Sequence, residues 1–351
     1  MESHGTHDTQ TIAQDRMIST RKLGSLSVSS IGLGCMNLSH AYGAPPSAED
    51  ARRVLLRALE LGVTHFDTAT LYGFGANEEL VGNVLGPYRS RFTLASKGGV
   101  FGIKTESGFK RVIDGRPESL RANCEASLRN LRTDVIDLYY LHRWDKRLPI
   151  EDSVGTLAML AKEGKIRQIG LSEVSASTLR RAQRVHPIAA VQSEYSAMTR
   201  NPEIGVLEVC RESGIAFIAF SPVGRGMFSL EPIDVRSFEA NDIRRAMPRF
   251  EVAHYAANQE TLKPLRALAA ELGHSPAQLA LAWLLRRGDN VLAIPGTTQL
   301  SHLQENIDAG DLQLNEEAQK RLDAVVESIQ PAGNRYSLAT QAEIDTEEWP
   351  S

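Results

Sequence analysis

Cysteine is scarce and scattered. The three cysteines, Cys35, Cys124 and Cys210, form no CxxC pair and share no zinc-like spacing with histidine. That excludes a disulfide-stapled scaffold, and no metal site is expected. Free thiols packed as small hydrophobes fit best, which agrees with a reducing, cytoplasmic compartment. An excess of one charge is also missing: 39 Lys and Arg stand against 43 Asp and Glu, a formal net charge of −4. Such a balance creates no field that would draw nucleic acid or an anionic membrane. Long apolar runs are absent as well. A membrane span needs roughly 18 apolar residues in a row, whereas Ile215-Ala216-Phe217-Ile218-Ala219-Phe220 has only strand length. Residues 1–20 are polar and mixed in charge, without the basic-then-apolar layout of a secretory signal. They are expected to be a disordered extension. No linker rich in Pro, Gly and Ser interrupts the rest, so one domain is expected over residues 21–328, followed by an irregular tail over 329–351.

What is present is alternation. Short β-branched or aromatic runs alternate with longer stretches of helical periodicity. A small hairpin is expected over residues 22–29, then strands over 31–36, 65–69, 92–97, 136–142, 166–172, 189–195, 215–221 and 291–296. Helices are expected over 47–61, 77–85, 117–131, 150–163, 175–185, 204–213 and 275–287, with a last one over 315–328. Gly62, Gly164 and Gly214 stand just before strands, where a left-handed stop ends a helix. Repeated strand–helix units imply parallel strands with right-handed crossovers. Eight of them suggest a closed (β/α)8 TIM barrel, with an open doubly wound sheet as the alternative on periodicity alone. Two segments exceed ordinary loop length, 98–116 and 223–259, and long loops in compact domains tend to be functional or disordered.

A parallel barrel works at the C-terminal ends of its strands. There the sequence places Asp67, with Tyr72 shortly after it, then Lys97, then His142. Tyrosine, with a reference pKa of about 10, is a weak acid at neutral pH. A neighbouring ammonium stabilises its phenolate, and a carboxylate would keep that ammonium charged and in place. A histidine can orient a substrate oxygen by hydrogen bonding. Together they form a proton-transfer site for a carbonyl. Singly, each residue but one has a blander explanation: Asp67 as a turn cap, Tyr72 as rim packing, His142 as a satisfied structural histidine. Lys97 lies inside an apolar strand, where an unpaired ammonium is expensive. Met36, Phe74, Phe101, Trp144, Phe228 and Tyr336 are candidate pocket walls.

At these residues the chain resembles the aldo-keto reductase family, over roughly Thr20 to Val326. His65-Phe66-Asp67-Thr68-Ala69-Thr70-Leu71-Tyr72-Gly73, Leu94-Ala95-Ser96-Lys97 and Asp137-Leu138-Tyr139-Tyr140-Leu141-His142 carry the resemblance. So do the stretch from Gly164 to Ser172, Ala219-Phe220-Ser221-Pro222-Val223-Gly224-Arg225-Gly226, Ile294-Pro295-Gly296 and Glu305-Asn306. The resemblance implies reversible reduction of an aldehyde or ketone by hydride transfer from a nicotinamide dinucleotide, with Tyr72 as general acid, Lys97 and Asp67 tuning it, and His142 positioning the carbonyl. It also implies that Ser172 and Gln192 contact the nicotinamide carboxamide and that Phe220 stacks on the ring. Ser221, Val223, Gly224 and Arg225 would line the pyrophosphate. Gly296, Thr298, Gln299, Glu305 and Asn306 would surround the adenosine end.

The chain departs from the family pattern at three places. Glu173 stands where Asn is frequent, and Phe220 where Tyr is common. The stretch Gly296-Thr297-Thr298-Gln299-Leu300-Ser301-His302 lacks the Lys or Arg that usually pairs with the 2′-phosphate. NADPH is the expected cofactor, with NAD as the alternative. A Rossmann dehydrogenase is disfavoured, because Gly32-Leu33-Gly34 is followed by Asn37 where the third motif glycine belongs. A short-chain dehydrogenase needs Tyr-x-x-x-Lys, and no tyrosine here has Lys four residues on. A different class of function, a redox-sensing regulatory subunit resembling potassium-channel β subunits, is compatible with the same residues. The expected partner is a small carbonyl or alcohol; oligomeric state and substrate identity leave no mark in the sequence.

Overall fold

The computed structural model describes residues 18–106 and 108–349. Eight short strands lie side by side in chain order: Leu33–Gly34, His65–Asp67, Thr93–Gly98, Ile136–Leu141, Ile166–Ser172, Ala190–Glu194, Ala216–Phe220 and Val291–Ile294. All neighbouring pairs are parallel. First and last meet through a parallel bridge between Ile31 and Ala293, and Gly32 N–H donates to the Ala293 carbonyl at 2.8 Å. The sheet therefore curls back on itself as a (β/α)8 barrel. Its strands are buried on both faces, which is why they read as nearly continuous apolar runs rather than as alternation.

The helices of the outer ring follow from local signals. Ala48–Glu60 starts at Ser47, whose side chain accepts from Asp50 N–H, and buries Val54, Leu55, Ala58 and Leu59 against the barrel. Ala176–Gln183 repeats the scheme, with Ser175 accepting from Thr178 N–H; Pro117–Leu131 and Ile150–Lys162 bury a face in the same way but start without a side-chain cap, the first on a proline. The expected stops Gly62, Gly164 and Gly214 all have positive φ, at 89°, 75° and 65°. Among the described residues no helix is long and apolar enough to cross a membrane.

The barrel interior is a small core of its own. Ala95, Leu138, Tyr140, Ala190, Ala216, Ile218, Leu292 and Ile294 fill it, and Leu23 and Val28 join them from the N-terminal hairpin. That hairpin pairs Thr20–Leu23 with Leu26–Ser29 and closes the end of the barrel away from the strand C-termini. It starts earlier than its sequence pattern indicated. Ile18 is buried and Ser19 N–H donates to Asp311 at 3.2 Å, so residues 18–20 pack on the barrel. An apolar Ile18 with cover available has reason to order. The rest of the expected extension, residues 1–17, lies outside the described residues.

Interior space is tight. Gly170 faces Tyr140 on the adjacent strand, and a Cβ at Gly170 would sit 2.3 Å from the Tyr140 ring. Gly170→Ala is therefore expected to destabilise the fold by about 1–3 kcal/mol, read as a lower Tm in thermal unfolding. An unchanged Tm would mean that the ring moves aside at little cost.

Four segments differ from their sequence reading. The first long loop contains an antiparallel hairpin, Val100–Thr105 with Gly108–Ile113, whose Gly and Lys residues mask the strand pattern. The second contains short 3-10 turns and the helix Val252–Thr261, and the helix Lys263–Leu272 follows directly. The helix Val252–Thr261 has little apolar periodicity and buries only Tyr255 and Asn258. The helix Lys263–Leu272 carries a proline in its first turn, the place where proline is tolerated. Leu300–Asp308 also went unmarked. Finally, the C-terminal segment is more than an irregular tail. It includes the one-turn helix Leu338–Gln341 and buries Arg335, Tyr336 and Ile344.

Candidate active site

Asp67 ends the second barrel strand, Lys97 lies in the third, and His142 follows the last residue of the fourth. All three are buried. Tyr72 opens the 3-10 turn Tyr72–Gly75, and its N–H donates to the Ala69 carbonyl at 3.0 Å. Gly73 and Phe74 then adopt left-handed φ of 57° and 53°, turning the chain sharply just after the tyrosine.

These four residues converge. The Lys97 ammonium donates to Asp67 Oδ1, to the Thr68 carbonyl at 2.8 Å and to Tyr72 Oη at 3.3 Å. It also stands 5.0 Å from the Tyr72 ring centre. The rings of Tyr72 and His142 meet edge-on, 5.9 Å apart and at 87°. The other Asp67 oxygen accepts from Gln192 Nε2 at 2.8 Å. One carboxylate thus anchors both the lysine and the amide.

Burial and charge act in opposite directions here. Removal from water raises the Tyr72 pKa; the Lys97 charge pulls it back, and burial wins. The lysine does lower the acidity barrier as expected, yet the phenol stays protonated at neutral pH in the free protein. Burial also depresses Lys97, but Asp67 and then Tyr72 outweigh it and hold the ammonium charged. Burial, followed by the charges of Arg143, Lys97 and Arg111, holds His142 well below the usual histidine range. A neutral imidazole results, whose buried Nδ1 has no hydrogen-bond partner among the described residues.

The other residues singled out in the sequence fall around the same mouth. Ser172 and Gln192 are register partners on adjacent strands. Ser172 Oγ accepts from Arg143 Nη1 at 3.1 Å, so its own hydrogen is free to donate elsewhere. Phe220 ends the seventh strand, partly exposed. Beyond it the backbone is unusual: Ser221, Gly224, Arg225 and Gly226 have φ of 49°, 62°, 56° and 92°. The Arg225 guanidinium does not lie over this loop. Its side chain is 7% exposed and bonds inward to Glu194, Tyr336 and Tyr42, at 2.9, 3.1 and 3.3 Å. Gly296 follows strand eight where a Cβ would come within 2.9 Å of the Gly34 carbonyl. Thr298 and Gln299 lead into the helix Leu300–Asp308, which carries Glu305 and Asn306.

Glu173, one of the departures noted in the sequence, has φ of 55° and is buried. It accepts from Glu194 N–H at 2.9 Å, from Thr346 Oγ1 at 2.5 Å and from Arg335. Its carboxylate is thus engaged by strand six and the C-terminal segment. Of the candidate walls, Phe228 belongs to the core at 1% exposure. Phe74 stacks on Phe109 of the hairpin at 4.7 Å, and Phe101 and Trp144 border an open cleft beside Val112 and Leu148.

Sequence reasoning passed over Glu194 and Arg335. Glu194 was discoverable: it lies two residues after Gln192, on the same face of an apolar strand, and a buried carboxylate needs partners. Arg335 had no such signal, because nothing in the tail's composition ties it to a strand end.

Known proteins resemble the chain over nearly its whole length. The family model described as Aldo/keto reductase family matches residues 30–327. A probable aldo-keto reductase 1 from Glycine max is 42% identical over 318 residues, 90% of this chain and 91% of its own length. The aldo-keto reductase yakc of Schizosaccharomyces pombe, whose name carries NADP(+), is 38% identical over 93% of this chain and 97% of its own. Among solved structures, a glycerol dehydrogenase from Gluconobacter oxydans superposes with a TM-score of 0.79 at 27% identity, covering 91% of this chain and 98% of its own. A Klebsiella pneumoniae aldo/keto reductase in complex with NADP and acetate gives 0.65 at 26% identity, covering 92% and 99%.

Proposed function

Because this chain belongs to the aldo/keto reductase family, we propose that it reduces an aldehyde or ketone reversibly with a nicotinamide dinucleotide, Tyr72 being the proton donor. The observation that carries this reading is the Lys97 ammonium, bonded to Asp67 on one side and to the Tyr72 hydroxyl on the other. An ammonium so placed favours the phenolate left after proton transfer.

When bound, a nicotinamide dinucleotide would supply the hydride for the carbonyl carbon. The chain supplies the rest. Tyr72 Oη gives its proton to the carbonyl oxygen as charge develops there. Lys97 stabilises the phenolate, and Asp67 keeps Lys97 charged and aimed. The neutral His142 ring orients the carbonyl oxygen by a hydrogen bond. The residues present fit a nicotinamide. Gln192 Nε2 is engaged by Asp67, which leaves the amide oxygen to accept from a carboxamide N–H. Ser172, already accepting from Arg143, has a hydroxyl hydrogen for the carboxamide oxygen. Phe220 would stack on the ring. Ser221, Val223, Gly224 and the backbone of Arg225 would line the pyrophosphate, and Gly296, Thr298, Gln299, Glu305 and Asn306 the adenosine end.

NADPH is the favoured cofactor, supported by the NADP named for the relatives in Schizosaccharomyces pombe and Klebsiella pneumoniae. The preference should be modest. No Lys or Arg occurs from Gly296 to His302, and Arg225 is held inward by Glu194. We expect NADPH to bind over NADH by about tenfold or less, corresponding to about 1.4 kcal/mol, in fluorescence titrations with both. A thousandfold preference would reveal a strong cationic clamp elsewhere. The general test is NADPH oxidation with a panel of reactive aromatic and aliphatic aldehydes. Turnover dependent on Tyr72 supports the reading; none across the panel with either cofactor overturns it.

A further inference from the structure

The C-terminal segment reaches back into the barrel mouth and ends on two carboxylates. Glu173 and Glu194 sit at the ends of neighbouring strands, five and six, and both are buried. Arg335 bonds to both of them. Tyr336 donates to Glu194 at 3.2 Å. Thr346 donates to Glu173, and Asp345 N–H donates to the Glu173 carbonyl at 2.9 Å. Buried charges at this density are costly unless paired, and here Arg335 Nη1 is left without a partner among the described residues.

Glu194 is the hub, because the same oxygen that accepts from Arg335 and Tyr336 also accepts from Arg225. Arg225 in turn belongs to the loop assigned above to the pyrophosphate. Its guanidinium stands 5.7 Å from the Phe220 ring centre and 5.8 Å from that of Tyr336. One buried cation therefore touches the ring assigned to nicotinamide stacking, the phosphate loop and the tail.

The backbone explains why such a clamp is needed. Ser221 and Arg225 both hold left-handed φ without being glycine. Conformations of this kind persist only where the surroundings over-determine them, and they cluster at ligand clamps. Successive left-handed and right-handed residues can turn backbone N–H groups toward one point, a concavity suited to phosphate. Freed of its inward bonds, Arg225 would relax toward an ordinary φ, and that concavity would open.

We propose that Glu194 and the tail residue Tyr336 are positioning residues for the cofactor: they clamp Arg225 in its left-handed conformation and so pre-form the pyrophosphate loop. This inference rests on the dinucleotide reading above. It assigns to the C-terminal segment a part in cofactor affinity, acting through Arg225 and its loop.

Kinetics on the full-length protein test it. Tyr336→Phe keeps the ring and removes one hydroxyl, and Glu194→Gln keeps the shape and removes the charge. NADPH dissociation constants come from fluorescence titration and kcat from saturating NADPH. Tyr336→Phe should raise the NADPH Kd about three- to tenfold, the range of one hydrogen bond, and Glu194→Gln more than tenfold. With cofactor saturating, kcat should stay within about twofold. ADP-ribose, which carries the diphosphate without nicotinamide, should weaken in parallel with NADPH. Leu338→Ala, at an 85% exposed tail position, should change nothing. A Kd unchanged in Tyr336→Phe overturns the proposal even if Tm falls, because a merely structural contact lowers stability alone. Loss of kcat at constant Kd overturns it too. Should Glu194→Gln fail to fold, Tyr336→Phe decides. Wild-type protein that binds neither NADPH nor NADH defeats the dinucleotide reading itself, a result distinct from tight wild-type binding insensitive to the tail.

Discussion

Tyr72→Phe should lower carbonyl reduction by about 10²–10⁴-fold, the usual contribution of a general acid, while NADPH binds as before. The substitution removes one oxygen and keeps the ring, so the edge-on packing against His142 survives. The lost atom is the one that Lys97 contacts at 3.3 Å. The proposed mechanism gives it no part in holding the dinucleotide, which makes the split between kcat and cofactor Kd diagnostic. The pH profile adds a second check. Burial raises the Tyr72 pKa against the pull of Lys97, so the protonated donor persists through neutral pH. Reduction should therefore stay flat through neutral pH and fall only at alkaline pH, beyond the ordinary tyrosine range. A variant keeping more than about a tenth of wild-type turnover, with chemistry rate-limiting, would remove Tyr72 from its role.

Lys97→Met should abolish turnover and also destabilise the protein. Met fills a similar volume but leaves the Asp67 carboxylate, 1% exposed, facing Gln192 alone. Breaking a buried ion pair by removing one partner costs about 3–5 kcal/mol, because the other charge remains in a poor solvent. Two consequences separate chemistry from folding. Adding Asp67→Asn to Lys97→Met should restore much of the lost stability, since the orphaned charge is gone, yet restore no activity. Asp67→Asn alone should weaken turnover, since the ammonium loses the carboxylate that keeps it charged and aimed. Thermal unfolding and steady-state rates on the three variants check both. A double variant no more stable than Lys97→Met would show that Asp67 is not the source of the penalty.

The sequence disclosed the barrel because its strands are buried on both faces and its helices on one. Two clean periodicities, punctuated by Gly62, Gly164 and Gly214, survive in the composition. The candidate proton-transfer group was legible for a related reason. Lys97 in an apolar strand is costly without partners, Asp67 and Tyr72 stand at and just beyond another strand's C-terminal end, and the structure brings the three together. What escaped was stabilised by contacts distant in sequence. The hairpin after strand three is a pair of exposed, Lys- and Gly-containing strands, defined by pairing with each other rather than by burial. Arg335 is polar in a polar tail; only strands five and six, more than 140 residues earlier, give it meaning. The inward turn of Arg225 was equally hidden, because its left-handed backbone depends on a glutamate and two tyrosines from separate parts of the chain.

The N-terminal hairpin has a bearing on how the chain is made. Arg21 hydrogen-bonds the carbonyl of Val291, 270 residues later, and those of Leu285 and Gly288. The seam between the first and eighth strands likewise joins Ile31 to Ala293. On the ribosome, these contacts wait until strand eight has emerged. Until then the nascent sheet has an open edge along Leu33–Gly34, and the apolar side chains of the hairpin have no lid to close. An unpaired edge of this kind is a template for association with other chains, and long-range closures of this kind are slow. Premature termination anywhere before strand eight should therefore yield not a smaller barrel but a sticky half-sheet, and the cell's chaperones should meet this protein chiefly in that interval.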